Sequence, residues 1–187
     1  MVDCPRLKRA KEFLDINKHA HNNRDAIGNG SSPYYSTPDE NGWKLATPTG
    51  VANNYLQNPM ESADYPSGLN YTTWVNQNTG EVHIEFLGTN FSSQDISFFL
   101  GQQSSLNQYI TDAGNAYNLV RGFYPNSTIT VSGHSLGGPA AQYVAASKNI
   151  DGYIYNGVGG YETLAATGGL QHLDSGDYSR IIDLLQK

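Results

Sequence analysis

The chain has 187 residues, enough for a single domain that buries roughly 70% of the surface its unfolded form exposes. With 38% hydrophobic residues, 15% charged residues and one cysteine, Cys4, the composition excludes a disordered chain, an intrachain disulfide framework and a cysteine-based metal cluster. Net charge is −6, but residues 1–25 hold six of the eleven Lys and Arg against four acids, so the remainder carries a balance of −8, which argues against a nucleic-acid partner.

In chain order, residues 3–20 read as a first helix: Asp3 can cap, Pro5 suits the first turn, and Leu7, Ala10, Phe13, Leu14 and Ile16 largely follow helical spacing. Its basic residues, Arg6, Lys8, Arg9, Lys11 and Lys18, suit peripheral contact with an anionic membrane surface, although such runs more often form the solvated face of a helix. The N-terminus lacks the basic-then-apolar order of a secretory signal, and no run approaches the length of a membrane span. Residues 21–66, rich in Asn, Gly, Ser, Pro and Tyr, predict mostly loop, with a short strand near Trp43-Lys44-Leu45. Residues 69–75 and 81–87 are alternating, β-rich runs joined by Asn76-Gln77-Asn78-Thr79-Gly80, the pattern of a hairpin. Asp95 suits a cap on a short helical segment over residues 96–100 and is not assigned a catalytic role. Leu106, Tyr109, Ile110, Ala113, Ala116, Tyr117 and Val120 then recur at helical spacing, ending before Pro125. The β-branched run Ser127 to Ser132 stops at Gly133, an Ala-rich helix follows from Leu136 to Lys148, a strand is expected at residues 152–156, and residues 178–187 read as a final helix. Strand, helix, strand, helix over the second half predicts an α/β domain with a mostly parallel sheet flanked by helices.

Gly133-His134-Ser135-Leu136-Gly137 carries the chemistry. A bare G-x-S-x-G is weak, but here it joins a predicted strand to a predicted helix, the context of a nucleophile elbow in which a strained turn lifts a serine above the end of the sheet. Gly133 and Gly137 are expected to face each other across the turn, where a Cβ would push it open. Gly138, Ala140 and Ala141 keep the helix slim. The helix N-terminus favours a developing oxyanion, and the N–H of Leu136 is the expected first donor. The His134 ring points away from its neighbour, so a packing or rim role is expected. The alternative for Ser135 is an ordinary glycine-rich turn.

Two blocks, Val131-Ser132-Gly133-His134-Ser135-Leu136-Gly137-Gly138 and Val82-His83-Ile84-Glu85-Phe86-Leu87-Gly88-Thr89, resemble the class 3 lipases of the α/β-hydrolase superfamily, and Tyr155-Asn156-Gly157-Val158-Gly159-Gly160 is similar to the family's loop after the elbow helix. Leu87 stands where the family usually has Arg. The resemblance implies an α/β-hydrolase fold over a single domain spanning residues 1–187, Ser135 as nucleophile, and Thr89 as second oxyanion donor. It also implies a carboxylic-ester hydrolase acting on ester or lipid, with no cofactor or metal. In this fold the acid and then the histidine follow the serine. The family's acid follows the strand after the one at residues 153–156, and its histidine comes later still, so the domain is expected to be C-terminally incomplete. Among later residues Asp183 is the nearest candidate acid, though it falls in the segment read as helix, and His172 as base would break the order. A complementing C-terminal segment or self-association is therefore the expected partner, because an incomplete sheet leaves an edge unpaired. The competing expectation is a catalytically silent module used for binding or assembly, and acyl transfer to an acceptor other than water shares the same acyl-enzyme.

Overall fold

The computed structural model describes residues 4–28, 41–46, 61–62, 65, 67–88, 103–155, 157 and 181–184. Helix α1 spans Cys4–Gly28, strand β1 Trp43–Leu45, β2 Glu61–Ser62, β3 Tyr71–Asn76 and β4 Val82–Phe86. Helix α2 follows at Gln103–Phe123, then β5 at Ile129–His134, α3 at Gly137–Lys148, β6 at Gly152–Tyr155 and β7 at Ile181–Leu184. Together the strands form one seven-stranded mixed sheet in the order β1-β3-β4-β5-β6-β7, with β2 also paired to β3. The expected hairpin forms as antiparallel β3 and β4, with Trp74 opposite His83. From β4 onward every pairing is parallel, as the alternation of strands and helices predicts.

Side-chain alternation sends the two faces of the central strands to different partners. On one face Val82, Ile84 and Phe86 of β4, Ile129 and Val131 of β5 and Ile154 of β6 pack against α2 and α3, which contribute Tyr109, Ile110, Ala113, Val120, Ala140, Ala141 and Val144. The opposite face receives α1, whose Ala10, Phe13, Ile16 and Ala20 cluster with Trp43, Trp74, Leu87, Tyr153 and Tyr155. Phe13 is fully buried, stacked on the His83 ring at 3.7 Å between centroids and set edge-on to Trp43 and Tyr153. Burying a Phe or Ile of this kind contributes about 1.5–3 kcal/mol, and this packing, not intrinsic propensity, holds so polar a helix in place.

Two expectations are corrected. Helix α1 continues through residues 21–28 where loop was expected, because that polar stretch contains no helix breaker until Gly28. The segment read as a final helix is instead a strand over Ile181–Leu184, parallel to β6 with Ile154 opposite Asp183. A short apolar run does not distinguish strand from buried helix by its periodicity, and the free side of β6 offers Ile181-Ile182 a ladder to join. Asp3, Asp95, Thr89 and His172 lie outside the described residues. None of the described helices is long and apolar enough to cross a membrane.

Candidate active site

Strand β5 runs through the centre of the sheet and ends at His134. The next residue, Ser135, has φ 53°, a left-handed conformation that costs an L-residue roughly 1–2 kcal/mol and persists only where its surroundings enforce it. Those surroundings are close on all sides. The Ser135 N–H donates to the Tyr155 carbonyl at 3.1 Å, extending the parallel ladder by one bond, and its carbonyl accepts from the Gly138 N–H at 3.0 Å. Leu136 returns to right-handed helical geometry as the N-cap of α3, which carries no side-chain cap. From α2 the buried Tyr109 hydroxyl donates to the Leu136 carbonyl at 3.2 Å and pins the turn from below.

The glycines around this turn are there for space. A Cβ on Gly133 would stand 2.2 Å from the Gly137 carbonyl oxygen, so the first half of the steric expectation holds. The second half is corrected: a Cβ on Gly137 would meet not Gly133 but the end of β4, at 2.1 Å from the Phe86 oxygen and 2.9 Å from that of Leu87. Gly137 thus lets the start of α3 touch the neighbouring strand. Gly138 in turn lies against Gly157 and Ile154, 2.8 and 3.2 Å from where its Cβ would be. Gly88 sits beside the elbow, its Cβ position 3.1 Å from the His134 carbonyl, 3.4 Å from the Ser135 Cβ and 3.5 Å from His134 Nδ1.

Ser135 and His134 are half-buried while Leu136 is buried. The hydroxyl-bearing residue therefore stands at the carboxyl end of the parallel strands, where α/β sheets place their ligands, and next to an uncapped helix start whose amides favour negative charge. His134 lies half-buried beside Gly88. Asp183 falls inside β7. By register Tyr155 is opposite both His134 and Leu184, so Asp183 stands two residues below the level of Ser135. Among the described residues no group of three or more His, Cys, Asp or Glu is arranged to hold a metal ion.

A second set of polar residues, none singled out from sequence, lies beneath α1. His83 and Glu85 are completely buried, as is Ser132. His83 Nδ1 is 2.9 Å from Thr130 Oγ1 and its Nε2 is 2.6 Å from Ser132 Oγ. Ser132 also bonds to Glu85 Oε2, and Asn17 of α1 donates to Glu85 Oε1 at 2.5 Å. Thr130 continues the chain to Glu81 Oε1 at 3.4 Å, and Glu81 is ion-paired with Arg9 of α1. Burial pushes the Glu85 carboxyl up to about 8, a rise held back by its hydrogen bonds from Ser132 and Asn17. Burial likewise drives the His83 imidazole well below its ordinary range, and the Arg9 charge adds to that. Tyr155, whose hydroxyl donates to the Ala10 carbonyl at 2.5 Å, is raised by burial and by the nearby Glu85. A serine, a histidine and a glutamate thus meet here, but the serine lies between the other two and all are sealed from solvent. This is not a hydrolytic triad. Strand alternation put His83 and Glu85 on one face; only the docking of α1 makes that face an interior.

The fold and the turn together define an α/β protein with a mixed sheet and a strained, half-exposed serine at the end of its central strand. No protein-family model matches the chain, and no curated protein does. One solved structure with some likeness is "Rhizomucor miehei lipase propeptide complex, native", at 14% identity and a TM-score of 0.48, covering 83% of this chain and 54% of that one. The chain therefore spans about half the length of that structure.

Proposed function

We propose that the chain carries the nucleophile half of a serine carboxylic-ester hydrolase of the α/β-hydrolase type, lipase- or phospholipase-like. The observation that carries this reading is the left-handed φ of 53° at Ser135, on a turn between a central parallel strand and a helix, with Gly133 and Gly137 admitting no Cβ. Strain of this kind is retained where it serves a function. The resemblance of residues 82–89 and 131–138 to class 3 lipases supports the same reading.

In this proposal Ser135 Oγ attacks an ester carbonyl, the carbonyl oxygen becomes an oxyanion held by the N–H groups of Leu136 and Thr89, and the alcohol leaves to give an acyl-enzyme that water hydrolyses. No described residue is assigned as the base that takes the Ser135 proton, and Asp183, two residues below the level of Ser135, is not assigned as its acid. Without a base and an acid Ser135 is a weak nucleophile, and the oxyanion donors alone supply a residual rate. Arg6, Lys8, Lys11 and Lys18 are exposed along α1, consistent with peripheral contact at an anionic lipid surface.

A fluorophosphonate probe tests the reading: it is expected to label Ser135, and Ser135→Ala is expected to abolish labelling. Labelling that survives in the alanine variant refutes the assignment. Absence of labelling, both in this chain and in any longer polypeptide containing it, favours the silent binding module instead.

A further inference from the structure

The buried polar chain under α1 has a direction. When Glu85 is neutral, only one arrangement of protons satisfies every contact. Its Oε2–H donates to Ser132 Oγ, the Ser132 hydroxyl donates to His83 Nε2, His83 Nδ1–H donates to Thr130 Oγ1, and the Thr130 hydroxyl donates to the Glu81 carboxylate. The Glu85 Oε1 then accepts from Asn17. When Glu85 is ionised and His83 is neutral, the order reverses: Ser132 donates to Glu85, His83 Nε2–H donates to Ser132 and Thr130 donates to His83 Nδ1, so Thr130 no longer donates to Glu81. These two arrangements differ by a shift of every proton one step along the chain.

The far end of the chain is open. Thr130 and Glu81, with Arg9, Asn126, Asp151 and Tyr153, line a cleft of about 580 Å³ where β4, β5 and β6 begin, at the end of the sheet opposite Ser135. Glu81 keeps 11% of its side chain exposed, whereas His83 and Glu85 have none. A carboxyl with no exposure of its own therefore has a continuous hydrogen-bonded path to solvent.

We propose that Glu85, Ser132, His83, Thr130 and Glu81 form a proton relay, through which buried Glu85 exchanges its proton with the cleft while the tautomer of His83 reverses. In one concerted forward shift Glu85 gives its proton to Ser132 as Ser132 gives its own to His83 Nε2, His83 releases the Nδ1 proton to Thr130, and Thr130 passes its proton to Glu81. A solvent base in the cleft then removes it. Net, one proton leaves Glu85, His83 stays neutral throughout, and each hydroxyl ends with one proton. The charged and titratable groups around the relay are Arg6, Arg9, Glu12 and the more exposed Asp15 of α1, Tyr153 and Tyr155 of β6, and Asp151 just before β6. The same face of β1 and β3 contributes Trp43, Thr72 and Trp74, which do not titrate. Arg9, ion-paired with Glu81 at the mouth, disfavours a cationic imidazole, so the proton travels past His83 without resting on it.

The test follows the His83 ring nitrogens by long-range proton–nitrogen NMR from about pH 6 to about pH 10. The expected result is the Nδ1–H tautomer at the acid end and the Nε2–H tautomer at the alkaline end, with a midpoint near the Glu85 value of about 8. In Glu85→Gln the amide N–H donates to Ser132 permanently, and His83 is expected to stay Nδ1–H at every pH. Thr130→Val removes the last hydroxyl but leaves Glu85 titratable, so the averaged His83 signal should split into two slowly exchanging ones, and Thr130→Ser should restore the average. A wild-type tautomer that never changes overturns the proposal, as does an imidazolium signal or an unchanged switch in Glu85→Gln. Undiminished exchange in Thr130→Val overturns the route. Should the valine variant fail to fold, the glutamine variant still decides.

Discussion

At the scale of single residues, the elbow stores strain and the glycines make room for it. Gly137→Ala places a Cβ 2.1 Å from the Phe86 oxygen, so α3 must retreat from β4. It is expected to destabilise the protein by about 1–3 kcal/mol and, by moving the Leu136 amide, to slow labelling of Ser135. Ser135→Gly relieves the left-handed strain at φ 53° and is expected to stabilise by up to about 1 kcal/mol while abolishing labelling. Urea denaturation midpoints check both, and a glycine variant less stable than the parent would show that the turn holds no strain. Here the sequence was highly legible. Gly133 and Gly137 announce the turn because a Cβ fits at neither position, yet the partner of Gly137 was misplaced, since contact with Phe86 depends on how β4 lies beside β5.

At the scale of elements, the hairpin, α2, β5, α3 and β6 follow from local pattern alone, whether periodicity, β-branched residues or alanine, bounded by glycine, proline or a polar turn. Helix α1 and strand β7 did not. Residues 21–28 are polar and read as loop, but a helix already anchored by Phe13 and Ile16 propagates cheaply until Gly28 stops it. Strand β7 has only Ile181 to Leu184 to announce it, and the choice between helix and strand was made by the open ladder on β6. The role of Phe13 as anchor is testable. Phe13→Ala removes a ring that touches His83, Trp43 and Tyr153 and leaves a cavity over the relay, at an expected cost of about 3–5 kcal/mol. A loss below about 1 kcal/mol in thermal or urea unfolding would show that α1 is held by its polar contacts, Asn17 to Glu85 and Arg9 to Glu81, instead.

At the scale of the whole molecule, two buried groups under α1 govern how stability changes with pH. Glu85 rises from an ordinary 4.5 to about 8 on folding, so the folded state holds a proton that the unfolded chain loses. Its contribution is complete below pH 4.5 and falls as pH rises through 8. His83 is lowered from its ordinary 6.5, so its contribution is present above 6.5 and falls as pH drops below it. Between about 4.5 and 6.5 the two slopes oppose each other and stability should be nearly level. From 6.5 to 8 only Glu85 acts, and stability should decline by on the order of 2 kcal/mol. Chemical denaturation at a series of pH values checks the profile, and Glu85→Gln should remove the alkaline decline. A stability that climbs steadily from pH 6.5 to 8 would show that Glu85 is already ionised in the folded state.

What the sequence alone determined is whatever short-range sterics and periodicity impose: the class of fold, the parallel second half, the turn at Ser135 and the slim helix behind it. Tertiary structure decided which faces of the sheet are covered, and with that the meaning of His83, Glu85, Thr130 and Ser132. Alternation places such residues together on one side of two strands whether that side meets water or protein. Only the docking of α1, 68 positions away in the case of Asn17 and Glu85, removes the water and turns an ordinary polar face into a buried chain of hydrogen bonds that opens only at Glu81. Desolvation depends on what lies overhead, and no local pattern in β4 or β5 encodes that.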